Sequence, residues 1–183
     1  MNLPTISLIT PSYNQGKFIE RTLLSILSQS HKPVEYLVYD GGSNDQTVNI
    51  LKKWEADLTW QSEPDDGQAA AVNKGLKACS GEIIGWINSD DTYNENALKN
   101  IAIAFNNNPN IDVIYGRALH IDENDEIINE YGTAYWDKAL LLHQCFICQP
   151  ALLFRRKIIQ RVGLLDEGLN FCMDYEYWIR LSK

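Results

Sequence analysis

The sequence predicts an α/β domain on a mainly parallel central sheet flanked by helices. Short apolar runs alternate with amphipathic segments of helical period. The connections between them are only a few polar residues long, as in a chain of β-α-β units. One run, residues 82–88, is apolar almost throughout, as a parallel strand buried on both faces has to be.

Each element has its own signal. Residues 5–9 read as a first strand, and residues 17–30 carry Ile19, Leu23, Ile26 and Leu27 at helical spacing. Residues 34–39 form a second strand, closed by Asp40-Gly41-Gly42. Ser43 followed by Gln46 fits a capping box for a helix reaching about Trp54. A short strand over 58–61 precedes the Ala-rich helix 68–78, whose small side chains suit close packing on a sheet. The apolar run over 82–88 is a fourth strand. Thr92 and Glu95 offer a second capping box, for a helix with Ala97, Ile101 and Phe105 on one face, ended at Asn106-Asn-Asn-Pro109. Residues 112–120 read as a fifth strand, with 126–131 as its hairpin partner. Helical patterns follow over about 135–143, 155–162 and 174–183.

At roughly 150 residues per domain, 183 residues predict one globular unit. With 16 Lys and Arg against 24 Asp and Glu, the formal charge is −8, and there is no global positive field to draw nucleic acid. The densest basic group, Arg155-Arg156-Lys157 with Arg161, reads as a solvated helix face rather than a membrane anchor. No signal core is visible and nothing approaches ~18 uninterrupted apolar residues. Four cysteines are too sparse for a disulfide scaffold and suit a reducing compartment, so a cytoplasmic location is expected.

In a parallel α/β sheet, ligands bind outside the carboxyl ends of the strands. The polar residues there are Pro11-Ser12-Tyr13-Asn14, Asp40, Pro64-Asp65-Asp66 and Asn88-Ser89-Asp90-Asp91. Asp is a common turn and cap residue, so any one of these carboxylates alone says little. Carboxylates at successive strand ends say more. They repel one another unless a hard cation, Mg²⁺ or Mn²⁺, shares them with substrate phosphates. A dinucleotide site would need Gly-x-Gly-x-x-Gly after the first strand, where this chain has Pro-Ser-Tyr-Asn-Gln-Gly with a single glycine. A phosphate-binding Gly-x-x-x-x-Gly-Lys-Ser/Thr loop is absent too.

Cys145-Phe-Ile-Cys148, with His143 and Cys172 nearby, could be assembled into a zinc site. One Cys-x-x-Cys pair falls short of the usual ligand set, and buried cysteines acting as small hydrophobes fit better. Trp86 reads as core. Trp178, four residues after Asp174 on one helix face, could be core or could stack on a ligand. His31 and His120 read as structural or exposed.

Three blocks carry a family resemblance at the start of the chain: Ser7-Leu-Ile-Thr-Pro-Ser-Tyr-Asn14, Ser25-Ile-Leu-Ser-Gln29 and Asp40-Gly-Gly-Ser-Asn-Asp45. Asn73-Lys-Gly75, Ser80-Gly-Glu-Ile-Ile-Gly-Trp-Ile-Asn-Ser-Asp-Asp91 and Met173-Asp-Tyr-Glu-Tyr-Trp178 continue it in order. Together they resemble glycosyltransferase family 2. The resemblance implies the GT-A fold and transfer of a sugar, with inversion, from a nucleotide-diphosphate donor to an acceptor hydroxyl.

The resemblance also implies roles. Thr10, Pro11, Tyr13, Asp40, Asp66, Asn88 and Ser89 fall in the nucleotide-sugar site, with Tyr13 offering a flat apolar ring and Asp40 an acceptor for the base. Asp90, with Asp91 beside it, would ligate a divalent metal, Mg²⁺ or Mn²⁺, that neutralises the leaving diphosphate. Asp174 would be the general base. Gln149-Pro150 resembles a loop on the acceptor side. Three features depart from the family pattern. Asn88 replaces the first carboxylate of the Asp-x-Asp motif, Val72 stands where many relatives carry arginine, and the chain ends at Leu181-Ser-Lys183, before relatives usually do. The implied layout is a single catalytic domain over 1–183, truncated at its C-terminus, with a nucleotide-binding half to about 92 and an acceptor-side half after it. The implied partners are a UDP-sugar donor and a saccharide or lipid-linked acceptor, used in bacterial surface polysaccharide synthesis at the inner membrane face. The alternative reading is a nucleotide-sugar binding domain with little transfer activity.

Overall fold

A computed structural model describes residues 3–183. Four parallel strands, β1 (Ile6–Ser12), β2 (Glu35–Asp40), β3 (Thr59–Ser62) and β4 (Ile83–Trp86), lie side by side in the order β3-β2-β1-β4. Beyond β4 the sheet continues with β8 (Leu152–Arg155), antiparallel to it, and then β5 (Val113–Tyr115), antiparallel to β8. A separate hairpin pairs β6 (Leu119–Ile121) with β7 (Ile127–Glu130).

Strand alternation builds two cores. Ile6, Leu8, Ile83 and Leu153 face one layer, made with α1 (Ile19–Leu27), α2 (Thr47–Lys53) and α4 (Ala97–Asn107). Ile9, Ile84, Trp86 and Phe154 face the other, made with α3 (Gln68–Ala78) and α7 (Met173–Leu181). The second layer is aromatic at its centre: Trp86 and Trp178 lie 5.1 Å apart, with Tyr177 edge-on to both. Trp178 is 1% exposed, so it is core and no sugar platform.

The early elements lie where the sequence puts them, within a few residues at their ends. The later ones need correction. The expected strand over 112–120 is two strands interrupted at Gly116; β5 joins the main sheet and only β6 pairs with β7. β8 was not expected at all. The helix expected over 155–162 is a short 3-10 turn, Arg156–Ile158, followed by α6 (Ile159–Val162), and that expected over 135–143 shrinks to α5 (Lys138–Leu141). Arg155 therefore belongs to no helix face. It lies over the Phe105 ring and donates to the carbonyls of Phe105 and Ile111, locking the end of α4 to the sheet.

Neither capping box forms. Ser43 Oγ donates to Asp40, while Asp45 Oδ1 accepts from Thr47 N at the start of α2. Asn96 precedes α4 in the left-handed region with no side-chain cap, and the orphan Leu98 N donates instead to Gln29 Oε1 from across the fold. A nearby carboxylate took Ser43, and a long-range partner took Leu98 N.

Gly75 fixes how closely α3 lies on the sheet. A Cβ at this position would come within 2.5 Å of Ile9 Cγ2, and Ile9 is a β-branched, fully buried residue of the central strand that has nowhere to swing. Alanine normally gains about 1 kcal/mol over glycine inside a helix. Here the overpacking penalty of roughly 1–3 kcal/mol outweighs that gain. Gly75→Ala is expected to lower stability in urea unfolding; an equal or raised midpoint would show that α3 can move off β1.

Candidate functional site

The carboxyl ends of β1 to β4 open into a cleft of about 630 Å³. Its lining includes Pro11 and Ser12 at the end of β1 with Tyr13 after it, Gly41 after β2, Asp65 after β3, Gln68 and Ala71 from α3, and Asn88, Ser89 and Asp90 after β4. That volume suits a ligand of nucleotide size. Tyr13 is 60% exposed, an aromatic ring offered to solvent. It stands with Asp65 around the bare Cα of Gly41, where a Cβ would lie 3.2 Å from Asp65 Oδ1 and 3.4 Å from Tyr13 Cδ2. The buried Ser12 Oγ has no hydrogen-bond partner among the described residues, which leaves it free for a ligand.

Thr10, Asp40 and Asp66 are not part of that lining. Thr10 is fully buried and its hydroxyl is bonded to Tyr36 at 3.1 Å. Asp66 is exposed, and its neighbour Asp65 takes the cleft position, with Oδ1 accepting from Gly67 N. Asp40 is 2% exposed and already engaged by Ser43 N at 2.8 Å, Ser43 Oγ at 2.5 Å and Ser62 Oγ at 2.6 Å. Ser43 Oγ in turn accepts from Asn14 N, so one carboxylate joins the loops after β1, β2 and β3.

At the acidic loop, Asn88 Oδ1 accepts from Gln68 Nε2 at 2.6 Å, which uses the side chain that replaces a carboxylate. Burial and the adjacent negative charge of Asp90 push the Asp91 carboxyl up to about 6, against the pull of the Asn88 amide and Arg21. Among the described residues, no three His, Cys, Asp or Glu side chains form a group able to hold a metal ion. Cys145 and Cys148 are half-buried and Cys172 is exposed, so the thiols expected to be buried are at most half so, while Cys79, outside that expectation, is buried. A Mg²⁺-like ion needs only one or two carboxylates when substrate phosphates complete its shell. Asp90 at the cleft fits that demand, whereas Asp91 beside it is absent from this cleft's lining.

Asp174 lies half-buried in the first turn of α7, outside the cleft lining. Its surroundings still connect it to the acidic loop. The Cys148 thiol is raised to about 11, first by burial and then by the charges of Asp91, Cys145 and Asp174. Asp91, from the middle of the sequence, and Asp174, from near its end, thus act on one thiol. Asp91 and Cys148 also line a second cleft of about 510 Å³, between the start of α4 and the β6–β7 hairpin. Sequence reasoning missed the cleft roles of Ser12, Asp65 and Gln68. A signal existed for the first two, since both lie in the polar runs after their strands.

A parallel sheet with a ligand cleft over its strand ends, an acidic loop after β4 and an antiparallel strand beyond it defines a GT-A glycosyltransferase domain. Solved structures agree. Staphylococcus aureus TarS (residues 1–349) in complex with UDP-GlcNAc superposes with a TM-score of 0.79 at 22% identity, over 96% of this chain and 52% of that one. Mannosyltransferase PcManGT from Pyrobaculum calidifontis, in complex with GDP-Man and Mn²⁺, gives 0.71 at 19% identity, over 97% and 51%. The family model for glycosyl transferase family 2 matches residues 7–163, and the chain belongs to that family. An uncharacterised glycosyltransferase of Rickettsia prowazekii is 28% identical over 98% of this chain and 59% of its own length. Chondroitin synthase of Escherichia coli is 26% identical over 99% of this chain and 27% of its own, and O-antigen biosynthesis protein RfbC of Myxococcus xanthus 28% over 98% and 14%. The chain therefore spans little more than half the length of the first of these relatives, and less of the others.

Removing the Asp40 carboxylate leaves three donors unpaired at the hinge of three strand ends. Asp40→Ala is expected to cost about 3 kcal/mol in chemical unfolding, on the scale of lost hydrogen bonds to a buried charge. A loss below about 1 kcal/mol would mean that water replaces the carboxylate and the strut is dispensable.

Proposed function

We propose that this chain is the donor-binding and transfer core of an inverting glycosyltransferase that moves a sugar from a nucleotide diphosphate to an acceptor hydroxyl. The cleft over β1 to β4 carries the proposal: it offers an aromatic ring and a carboxylate at Tyr13 and Asp65, and a second carboxylate at Asp90. The relatives named for chondroitin and O-antigen synthesis make a polysaccharide the favoured product, grown on a saccharide or lipid-linked acceptor at the inner membrane face. No helix among the described residues is long and apolar enough to cross a membrane.

In this reading Tyr13 stacks on the base, and Asp65 and Ser12 hold the nucleoside through their free polar atoms. Asp40 acts from beneath by fixing the loops that carry these contacts. Asp90, assisted by Asp91, holds a divalent cation, Mg²⁺ or Mn²⁺, which when bound neutralises charge on the departing diphosphate. Asp174 takes the proton of the acceptor hydroxyl as that oxygen attacks the anomeric carbon opposite the leaving group, which inverts the centre. UDP is the favoured nucleotide, with GDP and dTDP as the competing donors.

Calorimetric titration of UDP, GDP and dTDP, each with Mn²⁺, Mg²⁺ and EDTA, tests the donor site. Metal-strengthened binding of one nucleotide is the expected result, and no binding of any would refute it. The two carboxylates then separate. Asp90→Ala is expected to abolish the metal-dependent gain in binding, whereas Asp174→Asn keeps binding and slows transfer by at least ~10²-fold. Equal loss of nucleotide affinity in both variants would sink the division of roles.

A further inference from the structure

Side chains on and just after α1 take no part in the cleft, yet Arg21, Thr22, Ser25 and Gln29 all reach the backbone over residues 89–98, with Arg21 also paired to Asp125. Thr22 Oγ1 donates to Ser89 O at 2.9 Å, and Arg21 Nη2 donates to Asp90 O at 3.3 Å. One turn later Ser25 Oγ accepts from Tyr93 N at 3.1 Å. Just past the helix end, Gln29 Nε2 donates to Asn94 O at 2.9 Å while its Oε1 accepts from Leu98 N. Thr22 and Gln29 are 0% and 3% exposed, so these bonds are made away from water, where an unmade bond is costly.

This stretch has no ladder of its own to define its path. β4 ends at Trp86 and α4 starts at Ala97, and between them the backbone is held mainly by side chains reaching across from α1. The spacing explains the pattern. Positions 22, 25 and 29 lie on one side of a helix and its continuation at intervals of about one turn, with 21 next to the first of them. The match at Ser25-Ile-Leu-Ser-Gln29 thus has a physical content that no donor contact supplies. Ser25 and Gln29 bond backbone groups, so they read the path of the loop and not its side chains.

We propose that Thr22, Ser25 and Gln29 are positioning residues for the diphosphate end of the donor: they set where the Asp90 carboxylate stands in the cleft. This rests on the proposed donor site and adds to it a group of residues that never touch the ligand. The base end of the cleft, built from the loops after β1, β2 and β3 and held by Asp40, is independent of them. Loosening the α1 contacts should therefore weaken the metal-dependent part of nucleotide binding and leave the rest alone.

The test is calorimetric titration of UDP with Mn²⁺, UDP with EDTA and UMP with EDTA into the unaltered protein, Thr22→Val and Thr22→Ser. Valine keeps the volume and removes the donor; serine keeps the donor. The expected result is a fall of about fivefold to tenfold in UDP–Mn²⁺ affinity for Thr22→Val, the scale of one net hydrogen bond. UMP affinity is unchanged and Thr22→Ser behaves as the parent. Ser25→Ala, at a helix position alanine favours, should show the same split and covers the case in which Thr22→Val does not fold. An unchanged UDP–Mn²⁺ affinity, or equal losses for UDP–Mn²⁺ and UMP, overturns the positioning role. Parent protein that binds UDP equally with Mn²⁺ and with EDTA overturns the metal-dependent donor site itself, and the two failures are told apart by the parent titration alone.

Discussion

A buried carboxylate with three donors on it is the constraint from which the working end of this domain follows. Asp40 ends β2 at 2% exposure, and it is tolerable there only because Ser43 and Ser62 surround it with hydrogen bonds. The same bonds that make the charge tolerable bring three loops to one place. Parallel strands deliver their polar termini to a common edge, but they do not by themselves fix how those termini stand to one another. Asp40 does this for the loops after β1, β2 and β3, and α1 does it for the loop after β4. The cleft lies between two separately braced rims.

The sequence made the first half of the fold legible because its signals are local. β1 to β4, α1 and α3 each carry a period that no neighbour has to supply. The second half depends on partners distant in sequence. Leu152–Arg155 is a four-residue strand followed by basic residues, and on its own it looks like the start of an amphipathic helix. Only its place between β4 and β5 makes it a strand. The capping box at Thr92 failed for a related reason, since Gln29 reached Leu98 N from another element, whereas Ser43 was captured by Asp40 only three residues away. A local motif states what a chain can do, and tertiary competition decides what it does.

The same distinction runs through the site. That acidic residues would gather at the strand ends was readable from their positions after apolar runs. Which of two adjacent aspartates faces the cleft was not, because consecutive residues in a turn can point opposite ways and the sequence Asp65-Asp66 contains nothing to rank them. Burial was equally hidden. Asp40 and Thr10 look like any polar residue at a strand end, and only the packing of Tyr36, Ser43 and Ser62 around them turns them into internal supports. Asn88 was legible as a missing charge, but its engagement by Gln68 needed the close approach of α3 that Gly75 allows.

The insertion of β8 between β4 and β5 has a bearing on how the chain comes off the ribosome. The first four strands can pair as they emerge, but they leave Ile83–Trp86, an all-apolar strand, as an open edge. It stays open until residues 152–155 appear, and β5 has no partner in the main sheet until then either. An exposed hydrophobic edge of this kind is a template for pairing with other nascent chains. Synthesis of this domain therefore passes through a vulnerable interval, closed only when a strand from the last quarter of the described chain slides into the gap.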